Sequence, residues 1–82
     1  MRLQILLIKW RDSGSLYGWQ NQENINRFKP VEAYTGGILV EEAKDYIKLV
    51  QTYCEDGDKS NAFVIPRGCI LKKKVIGHYD TD

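Results

Sequence analysis

Apolar and polar positions divide the chain into runs rich in β-formers, separated by polar, turn-forming stretches. The first run, Leu3–Trp10 (LQILLIKW), is apolar on both faces and predicts a central, buried strand. Residues 11–30 are polar and turn-rich. Within them, Gln20–Lys29 predicts a short helix with Ile25 and Phe28 on one side, too short to hold without packing. Pro30 ends that segment by biasing Lys29 away from helical backbone. Val31–Glu42 predicts a second strand, where Gly36-Gly37 signals a bend, a bulge or the close approach of another backbone. Glu55–Asn61 (EDGDKSN) predicts a charged loop with Gly57 free to take positive φ. Ala62–Ile65 predicts a short strand, Pro66-Arg67-Gly68 a tight turn or one turn of 3₁₀ helix, and Cys69–Ile76 a last strand.

Glu41–Tyr53 is ambiguous. Ala43, Tyr46, Ile47, Val50, Tyr53 and Cys54 sit at helical spacing. Tyr46–Tyr53 is equally rich in β-formers, with Glu42-Ala43-Lys44-Asp45 as a hairpin loop. Pattern alone favours the helix slightly.

At 82 residues the chain holds one domain, expected over residues 1–77, with residues 78–82 as a frayed tail. A domain of this size buries only about 60–65% of its unfolded surface, so its core is thin. A 43% hydrophobic share beside 28% charged residues marks a globular chain rather than a disordered one. The net charge of +1 gives no global argument for nucleic acid or for an acidic partner; only a local patch can. Cys54 and Cys69 match no zinc spacing, and the single His78 supplies no cluster, so two half-buried free thiols are expected, and no cofactor. Met1-Arg2 and the apolar run after it resemble the start of a signal peptide, but Lys9–Asp12 cut the run short and no small-residue cleavage site follows. No stretch approaches the ~20 apolar residues of a membrane span. The expected location is the cytoplasm.

Trp10-Arg11-Asp12-Ser13-Gly14-Ser15-Leu16-Tyr17-Gly18-Trp19 places three aromatics on a Gly/Ser-rich segment. Such a segment either covers one end of a small core or builds a recognition surface. The order strand, long loop, hairpin, short strand, 3₁₀ turn, strand resembles the SH3-like small barrels. Gly37-Ile38-Leu39-Val40, Asp45-Tyr46-Ile47-Lys48-Leu49 and Ile65-Pro66-Arg67-Gly68-Cys69-Ile70 resemble the middle of Sm-like barrels. Residues 3–76 also resemble small phage and prophage proteins with three motifs: a Trp-x-Asp-Ser…Gly-Trp loop, a Gly-x-Leu-Val-x-Glu hairpin and an Ile-Pro-x-x-x-Ile element. Here these are Trp10-Arg11-Asp12-Ser13…Gly18-Trp19, Gly37-Ile38-Leu39-Val40-Glu41-Glu42 and Ile65-Pro66…Ile70. The resemblance decides Tyr46–Tyr53 as strand and implies an all-β, five-stranded SH3-like (Sm-like) small barrel. It carries over no enzymatic activity.

Lys72-Lys73-Lys74 is the one basic run. On a strand Lys72 and Lys74 share a face and Lys73 takes the other. They either guard an edge strand against sheet addition or bind phosphate together with Arg67 and Lys48. Trp10 and Phe63 are expected to pack inside, leaving Tyr17, Trp19 and Tyr34 for base stacking or for anchoring a partner. Asp12 is expected to cap its own turn, and Glu41, Glu42 and Asp45 to form a solvated hairpin tip. Glu55, Asp56 and Asp58 mimic only part of a calcium loop. No nucleophile–base pair, metal cluster or working carboxylate pair can be placed, so an enzyme is the last choice.

The resulting expectation is a non-enzymatic phage or prophage accessory protein, active as a homo-oligomer in the host cytoplasm. It inhibits host defence by sequestering a nucleotide signal or by binding a defence protein. The site residues are Tyr17, Trp19, Tyr34, Arg67, Lys72 and Lys74: the cations neutralise phosphates, and an aromatic stacks on the base. The alternatives are a nucleic-acid-binding small barrel, which the low net charge disfavours, and a virion or structural accessory protein.

Overall fold

The computed structural model describes residues 1–82. The first run becomes β1 (Arg2–Asp12), and the Gly/Ser-rich segment leads from it into a single helix, α1 (Gln22–Arg27). The side chain of Asn21 accepts a hydrogen bond from the Asn24 backbone N–H and caps the start of α1. The remaining elements are β2 (Val31–Glu42), β3 (Tyr46–Tyr53), β4 (Lys59–Pro66), a 3₁₀ turn at Arg67–Cys69 and β5 (Ile70–Asp80). All five strands form one antiparallel sheet in the order β4-β3-β2-β1-β5. The chain is therefore all-β, as expected. The sheet is not closed into a barrel, since β4 and β5 remain its two edges.

The ambiguous segment is a strand. As β3 it supplies Ile47, Leu49 and Val50 to a core completed by Leu6 and Ile8 of β1 and Ile65 of β4. A lone helix there would have left β4 without a neighbour. Only these six residues are buried, as the size of the chain leads one to expect. Trp10, Leu39 and Ile70 pack around them half-buried.

Several local expectations are corrected. β1 is central but not apolar-buried on both faces: Leu6 and Ile8 are buried, whereas Leu7, between them, is exposed. Gly36-Gly37 is not the bulge of β2. The register shift lies between Leu39 and Glu41, and of the expectations for this pair the close approach of another backbone holds, at Gly37 against β3. A Cβ at Gly37 would lie 3.1 Å from both Leu49 Cβ and the Val50 carbonyl oxygen. The C-terminal residues are not frayed from 78 onward: His78, Tyr79 and Asp80 pair with Gln4, Leu3 and Arg2, and Thr81 donates to the Met1 carbonyl. Asp12 ends β1 opposite Val31 rather than capping a turn. The acidic loop is shorter than expected, because β4 starts at Lys59, and Asp56 there accepts from the Asp58 N–H. Cys69 is half-buried and Cys54 is exposed, both unpaired. No helix is long and apolar enough to cross a membrane.

Candidate phosphate-binding site

The outer face of the sheet is built by strand parity. On β1, Leu7 and Lys9 point away from the core that Leu6 and Ile8 fill. Pairing sets two rows across this face. Lys9 lies between Tyr34 of β2 and Lys72 of β5, and Leu7 lies between Gly36 and Lys74. Because Gly36 has no side chain, the second row is open on the β2 side. The result is a surface depression of about 300 Å³ lined by Leu7, Lys9, Tyr34, Lys72 and Lys74. That volume is at the low end for small-molecule sites, which run from roughly 300 to 1,000 Å³.

The electrostatics of the depression are unbalanced. Lys9 forms an ion pair with Glu32 at 3.1 Å and lies 5.8 Å from the Tyr34 ring centroid. The hydrogen bond and charge of Glu32 raise the Lys9 ammonium above its ordinary value, with a smaller contribution from Tyr34. Lys72, directly across from Lys9, has no ion-pair partner, and neither has Lys74. Like charges facing each other across strands are destabilising. Edge protection explains lysines on β5 but not the lysine facing them from a central strand. Tyr34 is 66% exposed, so its ring face is available for stacking.

The expected residues divide into three places. Tyr34, Lys72 and Lys74 come together in this depression, and Lys73 takes the opposite face, where it pairs with Glu42 at 2.9 Å. Arg67 does not line this depression; together with Lys72, Lys73, Ile70 and Leu71 it lines a neighbouring one. Its Nε donates to the Ala43 carbonyl at 2.8 Å and its guanidinium faces Glu42 at 3.7 Å, so it ties the β2–β3 turn to the 3₁₀ turn. Lys48 is likewise committed, to Glu41 at 3.2 Å. Glu41 and Glu42 are thus ion-paired rather than merely solvated, whereas Asp45 makes no ion pair. Tyr17 and Trp19 sit in the segment between β1 and α1 and line none of the depressions. They are almost fully exposed, at 88% and 103%. Trp10 packs against Phe63 with ring centroids 5.5 Å apart and donates its indole N–H to Thr35 at 2.9 Å. Phe63 is only partly covered.

Lys9 and Leu7 were not among the expected site residues. Within β1 their face is legible from alternation, but their neighbours are set by register with β2 and β5, which no local pattern encodes. We find no family model, no curated protein and no solved structure that matches this chain.

Proposed function

We propose that the protein is a non-enzymatic nucleotide-binding protein, and that the Lys9–Lys72–Lys74–Tyr34 depression is its site. One observation carries this reading: Lys72 and Lys74 lack counter-ions, and Lys72 faces a third lysine, Lys9, beside an exposed tyrosine. A phosphate would neutralise Lys72 and Lys74, and the attached base would stack on Tyr34, with Leu7 as an apolar floor. The lining contains no histidine, cysteine or carboxylate, which fits holding a ligand better than turning it over. We place the fold with the SH3-like (Sm-like) small barrels. The strand order, the bulged β2 and the 3₁₀ turn between β4 and β5 support this. On the resemblance to phage and prophage proteins, the bound nucleotide is a host defence signal and the protein acts in the host cytoplasm as an inhibitor.

The test is calorimetric titration with a panel of mononucleotides, cyclic nucleotides and short oligonucleotides. Removing the phosphate contacts by Lys72→Ala or Lys74→Ala is expected to weaken binding about 10-fold or more each. Tyr34→Ala is expected to cost a similar factor through lost stacking. Affinity unchanged in all three variants, or no binding across the panel, would sink the reading. A second reading, capture of a defence protein, is favoured by the exposure of Tyr17 and Trp19 on a protruding loop.

A further inference from the structure

The two edges of the open sheet are not equivalent. β4 contains Asn61 at φ 57°, which breaks extended geometry, and it ends in Pro66, which has no N–H to donate. β5 is 11 residues long, pairs with β1 on one side only, and is exposed along nearly its whole length. Lysines and bulges are the common protection of such an edge. Here Lys72, Lys73 and Lys74 guard the first half, whereas Val75–Tyr79 carries no Lys, Arg, Asp or Glu and has only the bulge at Ile76. Leu71, Val75, Ile76 and Tyr79 on this strand all expose large apolar side chains. The strand is also polar in charge: basic near its start, acidic at Asp80 and beyond at Asp82. Antiparallel pairing with itself sets the basic half against the uncharged and acidic half, whereas parallel pairing sets lysine on lysine.

We propose that β5 is a self-pairing edge, through which two copies of the chain join their sheets antiparallel about a two-fold axis between Val75 and Ile76. Face parity selects the register. Against β1, Lys72 and Lys74 pair on the outer face opposite Lys9 and Leu7, and Gly77 and Tyr79 pair there opposite Ile5 and Leu3. The extra residue Ile76 is what shifts the parity. Matching outer face to outer face sets Lys72 opposite the partner's Tyr79 and Lys74 opposite the partner's Gly77. Both strands carry the same bulge and so the same local twist. Resting on the nucleotide reading above, the site then gains a second aromatic: the partner's Tyr79, 65% exposed in a single chain, stands beside Lys72.

The experiment is sedimentation velocity on the full chain and on Ile76→Glu and Ile76→Lys over a wide concentration range, with circular dichroism on each. Ile76 is 56% exposed, so neither change disturbs the core. The native chain is expected to dimerise, and each variant alone to stay monomeric because like charges meet at the axis. An equimolar mixture of the two is expected to dimerise again, a rescue that a folding defect does not allow. A native chain that stays monomeric, or variants that dimerise as it does, would overturn the proposal. Hydrogen exchange of the native chain gives an independent reading: dilution is expected to deprotect residues 71–80 selectively, and uniform protection at all concentrations argues against the pairing.

Nucleotide titration separates the two claims. Tyr79→Leu, titrated where it remains dimeric, is expected to bind about 10-fold more weakly. Equal affinity of the Ile76→Glu monomer and the native dimer removes the role of the partner's Tyr79. A dimer that binds no nucleotide supports the pairing and defeats the nucleotide reading alone.

Discussion

Glu41 and Glu42 show how single side chains hold the turn side of the sheet. Hydrogen bonds from Lys48 and then Tyr46 keep the Glu41 carboxyl below its ordinary value of 4.5, and Lys73, with Arg67 behind it, does the same for Glu42. A carboxyl held low in the folded chain contributes stability that is present above its unfolded value and is lost as pH falls through the folded one. Both side chains are more than two-fifths exposed, so solvent and salt screen the effect and it is modest. The urea midpoint is therefore expected to drop between about pH 6 and about pH 3, and to drop less in a Glu41→Gln/Glu42→Gln double variant. Equal slopes in the two proteins would refute this assignment. Lys73 belongs to this network, and its neighbours Lys72 and Lys74 do not, although all three are adjacent in sequence. Alternation along a strand separates them.

At the scale of elements, the sheet depends on a few contacts across strands. Ile8 is fully buried in a core of six residues, so Ile8→Ala is expected to cost about 2–5 kcal/mol, a large part of a small domain's stability. Gly37 is the second sensitive point. Leu49 Cβ and the Val50 oxygen belong to a paired core strand and have little room to move. Gly37→Ala is accordingly expected to destabilise by about 1–3 kcal/mol in denaturant titration, whereas Gly68→Ala, where an added methyl meets nothing within 4 Å, is expected to be nearly neutral. A Gly37→Ala midpoint matching the native one would mean that Leu49 and Val50 give way to an added methyl at no cost.

The whole molecule is long rather than round. Its extents are 58 × 22 × 20 Å and its radius of gyration is 16.6 Å, against roughly 12 Å for a compact domain of this length. The residues between β1 and β2 leave the sheet where Asp12 pairs with Val31 and carry α1, none of whose residues is buried. Gly14 and Phe28 approach each other within this excursion, and Leu16 and Phe28 share a small depression, so it packs on itself. Loops longer than about 12–15 residues are uncommon unless they serve a function. Replacing residues 13–30 by an Asn-Gly turn is expected to preserve the sheet, because the strands it connects already meet. If the proposed function holds, such a variant is expected to match the native chain in nucleotide affinity while losing any protein partner captured by Tyr17 and Trp19. Unfolding of this variant would show that the loop supports the core.

The amino-acid sequence by itself determined the class and most of the elements. β-Former runs bounded by Gly, Pro and charged turns specify five strands because each local choice agrees with its neighbours. Val31–Glu42 and Tyr46–Tyr53 are legible to the residue, although the second needed a resemblance to separate strand from helix. Exposure of Tyr17 and Trp19 was legible as well, since a Gly/Ser-rich segment offers them nothing to pack against. The tertiary structure alone decided which charges meet. It kept Arg67, held by Ala43 and Glu42, out of the depression that Lys72 and Lys74 line, and brought Lys9 opposite Lys72 and beside Tyr34. It also left β4 and β5 as the two edges of an open sheet. Register and closure depend on pairings between residues far apart in the chain, and local patterns of polarity carry faces but not partners.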